Sequence, residues 1–231
     1  MKTLITGSSS GIGLACTHKL LSEGHAVIGL SRRPTSIRHA DLDTYSIDLS
    51  NLTNFPQKID TVLKKVGAID AAILSAGQGL FGHLEQFSYD QINYAINLNL
   101  TSTIYMARAI IPKMKQQKHG HIIVLGSEAA LRGAKKGSIY AASKFALRGF
   151  LQALREEVSS SGIRITLINP GMVRTTFFSN LNFQPGPNDG HAIEAEDIAT
   201  TIYQTMTTRS GTVIDEINIS PQQNVIDFKK T

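Results

Sequence analysis

Cysteine occurs once, as Cys16, in a chain of 231 residues. An intrachain disulfide is therefore excluded, and so is a cysteine-rich metal site. Tryptophan is absent, and the seven histidines are scattered without the spacing of metal ligands, so no metal is expected. His18, His25, His39 and His119 read as surface or element-end residues, and His121 as a structural residue that opens a strand. No apolar run approaches membrane-spanning length, and residues 1–6 give way to Gly and Ser too soon for a secretory leader. A cytoplasmic location with no membrane partner is expected. The 23 basic residues exceed the 18 acidic ones without forming a long Lys/Arg block, which argues against a nucleic-acid partner. Repeats and low-complexity tracts are also missing.

What is present is hydrophobic content of 42%, enough for a sizeable core in one α/β domain spanning 1–231. Apolar, often β-branched runs at 2–6, 26–30, 44–47, 71–74, 121–126, 164–168 and 212–218 read as about seven strands. Helical stretches near 12–23, 52–66, 99–117, 139–160 and 196–207 separate them. That alternation predicts parallel β-α-β units, a doubly wound sheet with helices on both faces. The segment 172–195 has neither period and reads as a substrate lid, with a surface loop as the alternative.

The run Tyr140-Ala141-Ala142-Ser143-Lys144 places a phenol and an ammonium on one face of a helix. Free tyrosine titrates near pH ~10, so acid–base work near neutrality needs about 4 kcal/mol. One unit charge ~4 Å away at an effective dielectric of ~20 supplies about that much. Taken alone, the same spacing also describes a half-buried tyrosine beside a solvated lysine.

Thr6-Gly7-Ser8-Ser9-Ser10-Gly11-Ile12-Gly13 follows the first strand directly and opens a helix. Glycine allows a tight turn and close approach of a pyrophosphate, and the helix N-terminus offers free N–H groups and a positive dipole end. A nucleotide that carries ribose hydroxyls is commonly held by an acid at the end of the second strand. Here that region reads Ile28-Gly29-Leu30-Ser31-Arg32-Arg33, with no acid. Two guanidinium groups beside a hydroxyl suit a 2′-phosphate, so NADP(H) is the expected cofactor, with Arg32 and Arg33 as phosphate contacts and Ser9 as a helper.

With these motifs in order, the chain resembles the short-chain dehydrogenase/reductase family, its NADP-preferring branch, over nearly the whole length. The turn has the family's Thr-Gly-x-x-x-Gly-x-Gly form, which adds Gly7, Ser9, Ser10, Gly11, Ile12 and Gly13 as cofactor contacts. Asp48-Leu49 matches the family's adenine-contacting pair, and Asn99 its helix-embedded asparagine. Ser127 ends a strand 13 positions before Tyr140, the family's usual separation. Pro170, Gly171, Val173 and Thr175 match the segment placed against the nicotinamide. Ala76 and Gly77 correspond to the end of the family's Asn-Asn-Ala-Gly run, but Leu74-Ser75 replace the two asparagines, so the side chains that brace the sheet are missing. Ser102 stands where many members have glycine, with packing as its expected effect.

The resemblance implies a Rossmann-type fold and a hydride-transfer enzyme for a small carbonyl/alcohol pair. Tyr140 would be the acid in reduction and the base in oxidation, its pKa lowered by Lys144 and by the oxidised nicotinamide. Ser127 would steady the carbonyl oxygen, Lys144 would also hold the nicotinamide ribose, and Asn99 would anchor a proton-relay water. A homotetramer or homodimer is implied as well. A small hydroxy acid or other small carbonyl compound is favoured, with a 3-oxoacyl thioester as the alternative. A non-catalytic NADP-binding sensor is the reading from another class, and it would predict loss of the Tyr or the Lys. Phe177, Phe178, Leu181, Phe183 and His191 are candidate lid residues, and Arg132, Lys135 and Lys136 lie in the loop between Ser127 and Tyr140.

Overall fold

The computed structural model describes residues 1–229; Lys230 and Thr231, the last two of the expected domain, lie outside the described residues. The strands are β1 (Lys2–Thr6), β2 (Ala26–Ser31), β3 (Leu42–Ser46), β4 (Ala71–Leu74), β5 (Gly120–Leu125), β6 (Ile163–Pro170), β7 (Val173–Arg174), β8 (Phe183–Pro185), β9 (Ile193–Glu194), β10 (Glu216–Ile219) and β11 (Ile226–Phe228). The helices are α1 (Gly11–Ser22), α2 (Phe55–Val66), α3 (Tyr89–Ile96), α4 (Ser102–Gln117), α5 (Ser138–Val158) and α6 (Ala195–Thr207).

Seven strands form one sheet in the order β10-β6-β5-β4-β1-β2-β3, and every neighbouring pair is parallel. This is the expected doubly wound Rossmann-type sheet. Alternate strand residues point to opposite faces. Leu4, Ile28, Ala72, Ile122 and Leu167 meet α2, α4 and α5 through Phe55, Ile59, Ile110, Leu147 and Leu151. Ile5, Val27, Ile73, Ile123 and Ile168 meet α1 and α6 through Leu20, Ile198 and Ile202. Each large aliphatic side chain buried this way contributes roughly 1.5–3 kcal/mol, so the two cores fix the sheet between its helix layers.

Several boundaries depart from the sequence reading. The helix expected from residue 99 starts at Tyr89, where Ser88 and Gln91 form a reciprocal capping box. Between α3 and α4 the chain widens into a π-turn, Asn97–Thr101, that contains Asn99. Ser102 does more than pack, because its hydroxyl donates to the Leu98 carbonyl at 2.7 Å. The strand expected from 212 begins at Glu216; upstream, the Ile214 carbonyl accepts the Thr166 hydroxyl. The segment 172–195 is also more regular than expected, holding β7, β8 and β9 and two short 3-10 turns. Its β8 pairs antiparallel with β11, so the chain's final strand straps it down.

Parallel strands bring the loops after β1, β2, β3, β4, β5 and β6 to one edge of the sheet. The strand order reverses between β1 and β4, where doubly wound sheets open a crevice.

Candidate active site

The turn after β1 is built by its glycines. Gly7 and Gly11 have φ of 72° and 51°, the left-handed region that side chains disfavour. Gly13 allows a close approach: a Cβ there would lie 2.3 Å from the Gly7 carbonyl oxygen. Ser10 precedes α1 in extended conformation and its side chain makes no capping bond. Ser9 is half-buried in the turn, and Ile12 packs against the α1–α6 core. A Cβ on Gly7 would touch Ala76, and one on Gly11 would touch Thr175, so three candidate cofactor segments meet here.

At the next loop, Arg32 and Arg33 are exposed and Ser31 is buried. Arg32 Nη1 donates to the Tyr94 hydroxyl at 3.0 Å. The Ser31 hydroxyl donates to the Arg33 carbonyl at 2.5 Å, so it shapes the loop. Asp48 accepts from the backbone N–H and hydroxyl of Ser50 at 2.9 and 2.6 Å. Burial raises its carboxyl pKa, but the Ser50 bonds with the Arg32 and Lys58 charges outweigh that and leave it lowered. Leu49 belongs to the core.

The loop after β4 is braced despite lacking the two asparagines. The Ser75 hydroxyl donates to the Thr6 carbonyl at 2.6 Å, and Thr6 Oγ1 accepts from the Ser75 and Ala76 N–H groups at 3.0 and 3.2 Å. Asn99 clamps the next residue, accepting from the Gln78 N–H at 2.8 Å and donating to its carbonyl at 2.9 Å. A Cβ on Gly77 would lie 3.3 Å from Asn99 Oδ1 and 3.8 Å from Lys144 Nζ.

Ser127, Tyr140 and Lys144 come together at the ends of β5 and α5. Ser127 caps the turn Glu128–Ala130, its Oγ accepting from the Ala129 N–H at 3.1 Å. Tyr140 and Lys144 are only 8% and 5% exposed. Lys144 Nζ sits 5.7 Å from the Tyr140 ring centroid and donates to the Leu125 carbonyl at 2.8 Å. The expected lowering of the tyrosine pKa by this lysine is corrected here. Burial pushes the phenol up to about 12, the Ser127 bond opposes that and the Glu128 carboxylate adds to it. Burial also brings the Lys144 ammonium down to about 8. Desolvation is the largest cause for both groups.

Set beside known proteins, the family model described as short chain dehydrogenase matches residues 2–185. The chain belongs to the short-chain dehydrogenase family, a family of oxidoreductases. This short-chain dehydrogenase is 30% identical over 226 residues to an uncharacterized oxidoreductase of Staphylococcus aureus strain USA300, covering 94% of this chain and 96% of that one. Among solved structures, serine dehydrogenase from Escherichia coli superposes with a TM-score of 0.80 at 28% identity, over 95% of this chain and 97% of that one. A metagenomic short-chain oxidoreductase in complex with NADP gives a TM-score of 0.79 at 26% identity, over 97% and 98% of the two chains.

Around Tyr140 the short-chain dehydrogenase carries an aromatic wall. Phe81 and Phe177 lie 5.2 and 5.9 Å from its ring, centroid to centroid, and Phe183 and Phe178 extend the cluster. Phe81 was not apparent as a site residue; the only local signal is the glycine on either side, in Gly79-Leu80-Phe81-Gly82. Glu128 was also missed: a Cβ on Gly171 would lie 3.1 Å from its carboxylate, whose pKa burial raises. A cavity of about 380 Å³ opens beside this wall, lined by Thr175, Phe178, Gln184 and Lys229 among others. Pro170 and Val173 are buried, Arg132, Lys135 and Lys136 are exposed, and His191 is half-buried in the 172–195 segment. His121 lies at the opposite edge of the sheet, bonded to Thr166 Oγ1 at 2.8 Å. Among the described residues there is no cluster of potential metal ligands and no helix long and apolar enough to cross a membrane.

Proposed function

We propose that this short-chain dehydrogenase is an NADP(H)-dependent oxidoreductase of small carbonyl/alcohol pairs, with Tyr140 as the proton donor in reduction. The observation that carries the reading is the meeting of Ser127, Tyr140 and Lys144 at the sheet edge that also holds the glycine turn. The turn fits a dinucleotide, since Gly13 has no room for a Cβ and α1 presents its N-terminus there. Gly7, Ser9, Ser10, Gly11, Ile12 and Gly13 would hold the pyrophosphate, Arg32 and Arg33 a 2′-phosphate, Asp48-Leu49 the adenine, and Ala76, Gly77, Pro170, Gly171, Val173 and Thr175 the nicotinamide side. When bound, the cofactor supplies a hydride.

The chain's own groups handle the proton. A phenol with a pKa of about 12 is fully protonated near neutrality, the state needed to protonate a carbonyl oxygen that gains negative charge. The Ser127 hydroxyl donates to that same oxygen. The Lys144 ammonium lies close enough to favour the phenolate that forms. Asn99 braces the loop at Gln78 and keeps Gly77 beside Lys144. The residues 172–195 act as the lid, with Phe177 and Phe183 closing on the tyrosine side.

The substrate is proposed to be a small hydroxy acid or other small carbonyl compound; the similar Escherichia coli structure is that of a serine dehydrogenase. NADP use is supported by the NADP-bound relative at 26% identity and by the two arginines after β2. Self-association through α4 and α5 completes the proposal, with Phe145 exposed on α5. The test is oxidation of NADPH, against NADH, with a panel of small ketones and aldehydes. Preference for NADPH with at least one carbonyl is expected, and equal or better turnover with NADH overturns the cofactor assignment.

A further inference from the structure

We propose that Arg148, Glu216 and Asn169 form a relay that holds Ser127 in register with Tyr140, with Glu216 as its positioning residue. The inference rests on the roles given above to Ser127 and Tyr140.

Tyr140, Lys144 and Arg148 follow one another at four-residue intervals and share a face of α5. Two of them anchor that face to the sheet. Lys144 donates to the Leu125 carbonyl at the end of β5. Arg148 reaches the edge strand β10, two strands from β5, where its Nε lies 3.1 and 3.0 Å from the two carboxylate oxygens of Glu216.

Glu216 then passes the connection back. Its Oε1 accepts from Asn169 Nδ2 at 2.7 Å, and the same Nδ2 reaches Asn218 Oδ1 at 3.0 Å. The pairing of β10 with β6 sets Asn218 opposite Asn169, and Glu216 shares that face two residues earlier. With both amide hydrogens drawn toward acceptors, the Asn169 carbonyl must point the other way. There it accepts the Ser127 N–H at 3.2 Å. Asn169 is 1% exposed, so an amide turned around would leave buried groups without partners.

Gly126 makes the last link possible. A Cβ at that position would lie 2.1 Å from Asn169 Oδ1. The result is a closed circuit from the helix bearing Tyr140, through a carboxylate and an amide, to the backbone of Ser127. A carboxylate suits the junction because it accepts from a guanidinium and an amide at once, and charge-assisted bonds are the stronger kind.

The test pairs hydrogen exchange at the Ser127 amide with steady-state kinetics for Glu216→Ala and Glu216→Gln. In Glu216→Ala the Ser127 amide is expected to exchange about tenfold faster or more, and kcat to fall by about tenfold or more, with KM for NADPH within about twofold. Glu216→Gln keeps an acceptor for Asn169 and is expected to recover most of both losses. Unchanged exchange at Ser127 in Glu216→Ala overturns the relay, as does an unchanged kcat. Should Glu216→Ala fail to fold, Arg148→Gln carries the same expectations for exchange and kcat. The exchange measurement needs no turnover, so a protein that reduces no carbonyl would refute the proposed function while leaving the relay to be judged on exchange.

Discussion

Lys144 Nζ lies 5.7 Å from the centre of the Tyr140 ring, and its hydrogen bond goes to the Leu125 carbonyl at 2.8 Å. Both side chains are buried, so each is pushed toward its neutral form. At rest the pair is thus a protonated phenol beside a cation that titrates close to physiological pH.

A pH dependence of stability follows. Folded Lys144 loses its proton near pH 8, whereas the ordinary value is 10.5, so between these values the unfolded chain binds the extra proton. Stability then rises with pH across that window. Tyr140 acts in the opposite sense above pH 10, where the folded chain keeps the proton. Chemical denaturation of the wild type and Lys144→Met from pH 7 to 10 checks this: the wild type gains stability relative to the variant as pH rises.

Glu128 tunes the phenol. Its carboxylate raises the Tyr140 pKa, so Glu128→Gln is expected to lower it. The acidic limb of the pH profile for alcohol oxidation, where the phenol must lose its proton to act as base, should move to lower pH in that variant. An unmoved limb would mean that the carboxylate does not act on the phenol.

Cofactor choice is proposed to rest on the arginines after β2. Arg32 is partly held by Tyr94, while Arg33 is exposed at the loop. Replacing both by alanine is expected to raise the Kd for NADPH by about tenfold to a hundredfold, in line with roughly 1.5–3 kcal/mol for hydrogen bonds to charged groups, and to leave that for NADH nearly unchanged. Titration of intrinsic tyrosine or cofactor fluorescence reads both constants.

β11 straps down the segment proposed as the lid. Lys229 Nζ donates to the carbonyls of Phe178 and Ser179 at 2.6 and 3.2 Å, while β11 pairs with β8. Removal of residues from 222 onward is expected to make the 176–191 stretch about tenfold more susceptible to limited proteolysis and to raise KM for the carbonyl substrate. NADPH affinity should stay within about threefold.

The main sheet and the residues of the proposed site were legible because short local patterns carry them: alternating strands and helices, a glycine turn, a Tyr-x-x-x-Lys step. Capping explains one miss, since Ser88 and Gln91 signal the start of α3 but lie before the apolar run that drew attention. The π-turn around Asn99 had no such signal, because it depends on the Gln78 backbone across the site. Ser75 shows the limit of motif comparison: a hydroxyl bonded to Thr6 braces a loop where the resemblance looks for asparagine. The pKa of Tyr140 was misjudged because spacing reveals a nearby charge and says nothing of desolvation. Glu216 and Arg148 meet only once the sheet forms, so the chain's order hides their pairing.

The most direct test of the account is Tyr140→Phe, which removes one hydroxyl from a buried ring. Carbonyl reduction with NADPH is measured beside NADPH binding to the same variant. The account predicts that kcat falls by roughly 10²–10⁴, the usual contribution of a positioned general acid, while the NADPH Kd stays within about threefold. Turnover retained near the wild-type rate would contradict it.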